Sequence, residues 1–311
     1  MRVLLTGGAG FIGSHIGDAL LERGHDVVIL DDLSSGRQEN VPARATFVRG
    51  DLRDAAQLDA IFASGRFDVV CHQAAQTSVS VSTREPIRDA EINVMGSLLL
   101  LERCRMNDVG RIVFASTGGA IYGEVPEGHR ADESTRPTPI SPYACSKLAF
   151  EGYLGAYRHE HGMNVTVLRY ANVYGPRQDP HGEAGVVAIF SQRLAKGESI
   201  RVNAMREVGD DGCVRDYVFV EDVVRANVLA IEGALRSSVL NVGTGEPTTT
   251  RTLARAIATG LGVDATIHDA ERRAGDLERS VLAPNPELAE HGGPTSLADG
   301  IAKTTAWFAA R

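Results

Sequence analysis

The chain has 311 residues and a formal net charge of −8, from 40 acidic and 32 basic side chains. That balance argues against a nucleic-acid or membrane surface, while an anionic small ligand would need only a few local arginines. The length suits one large or two unequal domains with a core that needs no staples. Cys71, Cys104, Cys145 and Cys213 are scattered without a C-x-x-C pair, which predicts packed free thiols in a reducing, cytoplasmic setting. No apolar run nears membrane-spanning length, and the start is broken by glycine too early for a signal peptide.

Val3 to Leu5 is a short apolar run that suits a strand buried on both faces. Gly7, Gly10 and Gly13 follow, and Phe11, Ile12, Ile16, Ala19 and Leu20 then recur at helical spacing. A strand, a glycine turn and a helix start gather bare backbone N–H groups at the positive helix end, a site for a diphosphate. A second strand, Val27 to Leu30, ends in Asp31, where a carboxylate can accept bonds from both ribose hydroxyls and repel a 2′-phosphate. The expected cofactor is therefore NAD, although Arg37 stands close enough to weaken the preference over NADP.

Further strands are predicted at 45–49, 68–72, 111–115 and 164–169, with helices at 54–63, 86–107 and 142–161 between them. Asp54 is placed to cap the first of these helices, and Pro86 and Pro142 to open the other two. Residues 73–85 and 116–141 are expected to be loops, the second long enough to be functional. This alternation predicts a doubly wound parallel sheet of the Rossmann type, with helices on both faces.

After Arg169 the rhythm changes. Residues 170–183 look like loop, 184–196 and 223–235 like helices, and 199–202 and 239–242 like strands. Asp216 to Asp222 looks extended, and helices are expected near 250–261 and 296–310. The expected division is an NAD-binding domain of residues 1–172, with 216–243 returning to it, and a smaller, discontinuous substrate-binding lobe from 173 to 311.

Tyr143 and Lys147 stand at i and i+4 on one helix face. A lysine charge beside a phenol favours tyrosinate, which can take a proton from a sugar or alcohol hydroxyl. His159 and His161, two apart, share no helix face, so no metal site is expected. Cys145 is read as a small packed residue, and Asp210 and Asp211 as solvated turn residues.

Thr6-Gly-Gly-Ala-Gly-Phe-Ile-Gly13 together with Tyr143-x-x-x-Lys147 resembles the extended short-chain dehydrogenase/reductase family, and within it the nucleotide-sugar epimerases. The likeness continues through Gly50-Asp51-Leu52-Arg53, Asn93-Val-Met-Gly96, Arg169-Tyr-Ala-Asn172, Val214-Arg-Asp-Tyr217 and Arg272-Arg-Ala-Gly-Asp276. It implies that Gly7, Gly10, Phe11, Ile12 and Gly13 cradle NAD, that Asp31, Asp51 and Leu52 surround its adenosine, and that Asn93 lies near it. It implies that Tyr143 is the acid–base group and that Lys147 tunes it and holds the nicotinamide ribose. Asn172, Arg215 and Arg273 would hold the diphosphate and nucleoside of a UDP-sugar, with Asp276 on its ribose. The implied reaction is 4-epimerisation of a UDP-sugar, UDP-galactose to UDP-glucose, in a homodimer. Relatives carry a catalytic Ser or Thr four residues before the tyrosine of a Val-Tyr-Gly-like triplet. Here the triplet is Ile121-Tyr122-Gly123 and that position is Gly118. Thr117 is the expected hydroxyl, with Ser116 second. In dehydratases and decarboxylases of the group, acidic residues follow the hydroxyl, where this chain has Gly118 and Gly119.

Overall fold

The computed structural model describes residues 1–181, 185–273 and 275–311. Its first half alternates regularly. The elements are β1 (Arg2–Thr6), α1 (Phe11–Glu22), β2 (Asp26–Asp31), β3 (Thr46–Arg49), α2 (Ala55–Ala63), β4 (Val69–His72), α3 (Val79–Arg84) and α4 (Pro86–Ala90). They continue with α5 (Ser97–Met106), β5 (Arg111–Thr117), a single turn α6 (Gly118–Ile121), α7 (Pro142–His161) and β6 (Val165–Tyr170). The later elements are β7 (Asn172–Tyr174), α8 (Val186–Ala195), β8 (Ile200–Asn203), β9 (Val214–Phe219), α9 (Val220–Glu232), β10 (Val239–Val242) and β11 (Pro247–Thr249). Last come α10 (Thr250–Leu261), β12 (Ile267–Ala270), β13 (Arg279–Ser280), α11 (Pro286–Ala289) and α12 (Leu297–Ala309).

Seven strands form one sheet in the order β10-β6-β5-β4-β1-β2-β3, with the β1–β2, β1–β4, β2–β3 and β4–β5 pairings all parallel. The α/β class expected from the alternation is the one found. β1 and β4 are buried nearly throughout, which is why they read as continuous apolar runs. The order reverses between β1 and β4, so the crevice beyond their carboxyl ends is a topological switch point, where open α/β sheets bind ligands.

Some local expectations change. The loop predicted at 73–85 contains α3, capped by Ser78, whose Oγ accepts the Val81 N–H at 3.0 Å. The single helix expected at 86–107 is broken at Glu91–Gly96 by a π turn, a feature common at functional sites. The extended run expected at 216–222 ends at Phe219, where α9 begins. β7, β9, β11 and β13 pair in a small second sheet, and β8 pairs with β12. The predicted loop end at Glu183 and helix start at Ala184 lie outside the described residues. Three cysteines are buried as expected, but Cys145 is exposed. Asp210 is not merely solvated. Although burial pushes its carboxyl up, the backbone N–H groups of Met205, Arg206, Glu207 and Gly212 pull it well below the usual range.

The chain divides into two compact units: residues 1–117, 139–169 and 224–240, and residues 118–138, 170–223 and 241–311. Residues 118–138, read from sequence with the N-terminal domain, pack in the second unit. There Tyr122 donates to Asn241, Val125 N–H to the Arg279 carbonyl, and Ala131 N–H to Val281. Among the described residues no helix is long and apolar enough to cross a membrane.

In the first unit a buried histidine ties the strand ends together. Thr6 Oγ1 accepts the Ala74 N–H and lies 2.7 Å from His72 Nδ1, while Nε2 lies 2.9 Å from Ser97 Oγ. Ser97 in turn donates to the Asn93 carbonyl, so the order of donors places the ring proton on Nε2. Burial, with the Lys147 charge second, pushes His72 down to about 3 from 6.5. The folded value lies below the unfolded one. The contribution to stability is therefore complete above pH 6.5 and is lost as pH falls toward about 3. In urea titrations over that window, His72→Asn should show a shallower slope of unfolding free energy with pH than wild type, by up to ~1.4 kcal/mol per pH unit. Equal slopes would mean that the ring is charged in the folded chain.

Candidate active site

The glycine turn lies between β1 and α1. Gly7 has φ +70°, a left-handed conformation, and a Cβ there would come 2.6 Å from Ala74 N. A Cβ on Gly13 would lie 2.1 Å from the Gly7 carbonyl oxygen, so backbone packs on backbone. The N-cap of α1 is Gly10, with no side-chain capping bond and no acidic residue in the first turn, so the N-cap residue supplies no side-chain acceptor to the first-turn N–H groups of Phe11, Ile12 and Gly13. These features fit a dinucleotide pyrophosphate.

At the end of β2, Asp31 is buried. Its Oδ2 accepts the Ala9 N–H at 2.9 Å and its Oδ1 accepts the Leu33 N–H at 2.8 Å. Burial pushes this carboxyl up, and the two backbone donors pull it back. Arg37 N–H donates to the Ala9 carbonyl and its guanidinium reaches Glu39 at 3.7 Å. After β3, the Asp51 carboxylate accepts Arg53 Nη2 at 2.6 Å and Nε at 3.0 Å, and Leu52 is buried. Asn93, in the π turn, grips the loop after β4. Its Oδ1 accepts the Gln76 N–H and its Nδ2 donates to the Gln76 carbonyl, both at 2.9 Å, and to Asp89.

α7 carries Tyr143 and Lys147. Ser141 caps it by accepting the Ala144 N–H, Pro142 starts it, and Gly162 ends it with φ +65°. The Thr117 side chain hydrogen-bonds the Tyr143 hydroxyl. Burial pushes the phenol up to about 12, the Thr117 bond opposes this and the Asp89 charge adds to it. The lowering expected from Lys147 is therefore reversed by burial. Lys147 is itself buried. Its Nζ donates to the Ala115 carbonyl at 2.9 Å and lies 4.7 Å from the Phe114 ring centre. Burial pushes it down to about 8, opposed by Asp89 and Glu151. Ser116 turns the other way and donates to Glu151 at 2.5 Å, so Thr117 is the hydroxyl at Tyr143.

In the second unit, Asn172 Nδ2 donates to the Asp216 carbonyl at 3.1 Å, and a Cβ on Gly119 would lie 3.4 Å from that nitrogen. Asp216 is fully buried. Its carboxylate accepts the N–H groups of Thr244, Gly245 and Leu282 and the Thr244 hydroxyl, which fixes the strand that carries Arg215. Arg215 donates to the Leu277 carbonyl at 2.7 Å and the Val214 carbonyl at 3.0 Å. That sets it against the turn that holds Arg273, which is exposed, and Asp276, half-buried. Ala274 lies outside the described residues.

Sequence reading missed Asp89, Glu151 and Arg169. Glu151 had a signal, since it stands one helical step beyond Lys147 on the face that already carries Tyr143. Asp89 had none, because nothing in its spacing separates a buried carboxylate from a solvated one.

Residues 3–243 match the model of the NAD dependent epimerase/dehydratase family. A UDP-glucose 4-epimerase of Mycolicibacterium smegmatis is 45% identical, covering 99% of this chain and 98% of its own. The crystal structure of Thermus thermophilus UDP-glucose 4-epimerase in complex with NAD is 52% identical with a TM-score of 0.95, covering 99% of both chains. The Thermotoga maritima UDP-glucose 4-epimerase structure with UDP-glucose is 44% identical with a TM-score of 0.91, covering 99% of this chain and 98% of the other. Fold, glycine turn and whole-length similarity agree, and the chain belongs to the NAD dependent epimerase/dehydratase family.

Proposed function

We propose that the protein is a UDP-glucose 4-epimerase that interconverts UDP-galactose and UDP-glucose through a transient 4-keto sugar, with NAD kept tightly bound. The observation that carries the reading is the Tyr143–Thr117 hydrogen bond beside a buried Lys147, on a chain similar over its whole length to such epimerases. Bound NAD supplies a reversible hydride acceptor and, when oxidised, a positive charge.

The chain's own residues do the rest. Backbone N–H groups of Gly7, Gly10, Phe11, Ile12 and Gly13 hold the cofactor pyrophosphate, Asp31 its adenine ribose, and Asp51 and Leu52 its adenine. Asn93 contributes by fixing the loop at Gln76, which already uses its side chain. Thr117 bonds the sugar oxygen that reacts. Tyr143 takes the 4-hydroxyl proton as tyrosinate and later returns it, and the Lys147 ammonium stabilises the tyrosinate before the first transfer and after the second. Asn172, Arg215 and Arg273 hold the diphosphate and nucleoside, and Asp276 the ribose, while the keto sugar turns over its other face. Gly118 and Gly119 offer no further acid or base, which supports epimerisation over dehydration or decarboxylation.

The first unit serves as the NAD-binding domain and the second as the substrate-binding lobe. A cytoplasmic location is supported by four free cysteines. A homodimer is supported by Ile87, Met95 and Tyr153, exposed apolar side chains on α4, the π turn and α7, which pack together. Leu100 and Leu101 on α5 and Phe150 and Leu154 on α7 are buried in the first unit's own core and are not available to such an interface.

Denatured wild type should release NAD and not NADP, and Gly13→Ala should release little, because its Cβ collides with the Gly7 carbonyl. Release of NADP would sink the role of Asp31. Light scattering at micromolar concentration should give the mass of two chains, and the mass of one would end the dimer proposal. Tyr143→Phe should keep its fold and its NAD but lose about 10²–10⁴-fold in kcat, and Thr117→Val less. Wild type should turn UDP-galactose into UDP-glucose of unchanged mass. A product lighter by one water would make it a dehydratase, and intact turnover in Tyr143→Phe would remove the acid–base assignment.

A further inference from the structure

The chain contains three lysines, Lys147, Lys196 and Lys303, and of these only Lys147 is buried. One helical step further along α7 stands Glu151. Its carboxylate is held by two elements at once: Ser116, at the end of β5, donates to Oε1 at 2.5 Å, while Arg169, on β6, donates through Nη2 to Oε2 at 2.6 Å and through Nε to Oε1 at 3.1 Å. Both side chains of the ion pair are 8% exposed.

A buried ion pair is weak evidence for stability, because removing two charges from water costs about what their attraction returns. Its geometry here has another consequence. The hydroxyl that Glu151 holds belongs to Ser116, whose neighbours are Ala115, the carbonyl acceptor for Lys147, and Thr117, the partner of Tyr143. One carboxylate therefore fixes the strand end that meets both members of the acid–base pair. We propose that Glu151 is a positioning residue for the reaction, one that holds the end of β5 against α7 and places its charge beside Lys147.

The charged and titratable groups around Lys147 are few. Tyr143 and Glu151 come from its own helix, Asp89 from α4 and His72 from β4, with Arg169 behind Glu151. His72 is held neutral. Asp89 is already engaged by Ser146, Gln76 and Asn93. Glu151 and Asp89 are thus the two carboxylates that favour a charged Lys147, and Glu151 is the one tied to the β5 end.

This inference rests on the epimerase reading for its kinetics but not for its direct readout. With only three lysines, the titration of Lys147 can be followed by NMR in ¹³C-lysine-labelled holoenzyme, assigned by Lys147→Arg. In Glu151→Gln the Lys147 midpoint should fall by about one pH unit, and Glu151→Asp should restore most of it. The same Glu151→Gln variant should lose about tenfold in kcat on the alkaline side, with KM for UDP-galactose changed less than about twofold. If Glu151→Gln strands Arg169 and does not fold, the double variant Glu151→Gln, Arg169→Met removes both charges and carries the same readings. A Lys147 midpoint unmoved in a folded variant, with only the melting temperature lowered, would reduce Glu151 to a structural ion pair. Absence of turnover in wild type would refute the epimerase reading and leave the titration to decide this one.

Discussion

An ammonium group sealed from water constrains the first unit more than any other interaction. Among the described residues Lys147 donates to one carbonyl and has an aromatic face nearby, and burial pushes it down from 10.5 to about 8 against the opposing pull of Asp89 and Glu151. A lysine in that setting is charged at neutral pH only while carboxylates stay close, and Asp89 and Glu151 do. Their presence raises new costs, since each is buried too. Asp89 offsets its cost with donors from three segments and Glu151 with a bidentate arginine. His72 settles the same conflict by staying neutral and packing edge-on to Phe150 at 5.9 Å. The polar interior is thus one connected answer to a single buried charge.

The strand ends make that answer possible. A parallel sheet collects the carboxyl ends of β1, β4 and β5 along one edge, so Thr6, His72 and Thr117 come to that edge from three distant stretches. Helices enter from the same side. The glycine turn brings α1 in so closely that no side chain fits between Gly13 and Gly7, and α7 is anchored at its start by Ser141 and Pro142. Backbone precision at the turn and side-chain precision at α7 have the same source, the burial of both strand faces.

Much of this was legible in the sequence, because it rests on local rules. Apolar runs that stop at glycine, a period of three to four after them, and proline or serine at helix starts gave the alternation and the sheet type. The Tyr143–Lys147 pair was legible for the same reason. What stayed hidden depends on contacts between distant residues. Nothing near Asp89 marks it as fully buried, and the π turn at Glu91–Gly96 holds Asn93, whose side chain bonds back to Gln76, 17 residues earlier. The direction of the Tyr143 shift was hidden too, because helical spacing reveals the neighbour and not the loss of water. Residues 118–138 were assigned by order along the chain, whereas their partners lie more than a hundred residues later.

The weave of the two units also has a consequence for synthesis. The chain passes from one unit to the other five times, and the first unit is assembled from residues 1–117, 139–169 and 224–240. During translation the glycine turn and its neighbouring strands emerge early, but the segment that completes that unit leaves the ribosome only after residue 240. Until then an edge of the growing sheet stays open, with apolar strands beside it. Neither unit is a contiguous module that could be cut out, moved to another protein or made first. The nascent chain therefore carries an unfinished first unit until residues 224–240 emerge, and the second unit, which also takes residues 241–311, is completed later still.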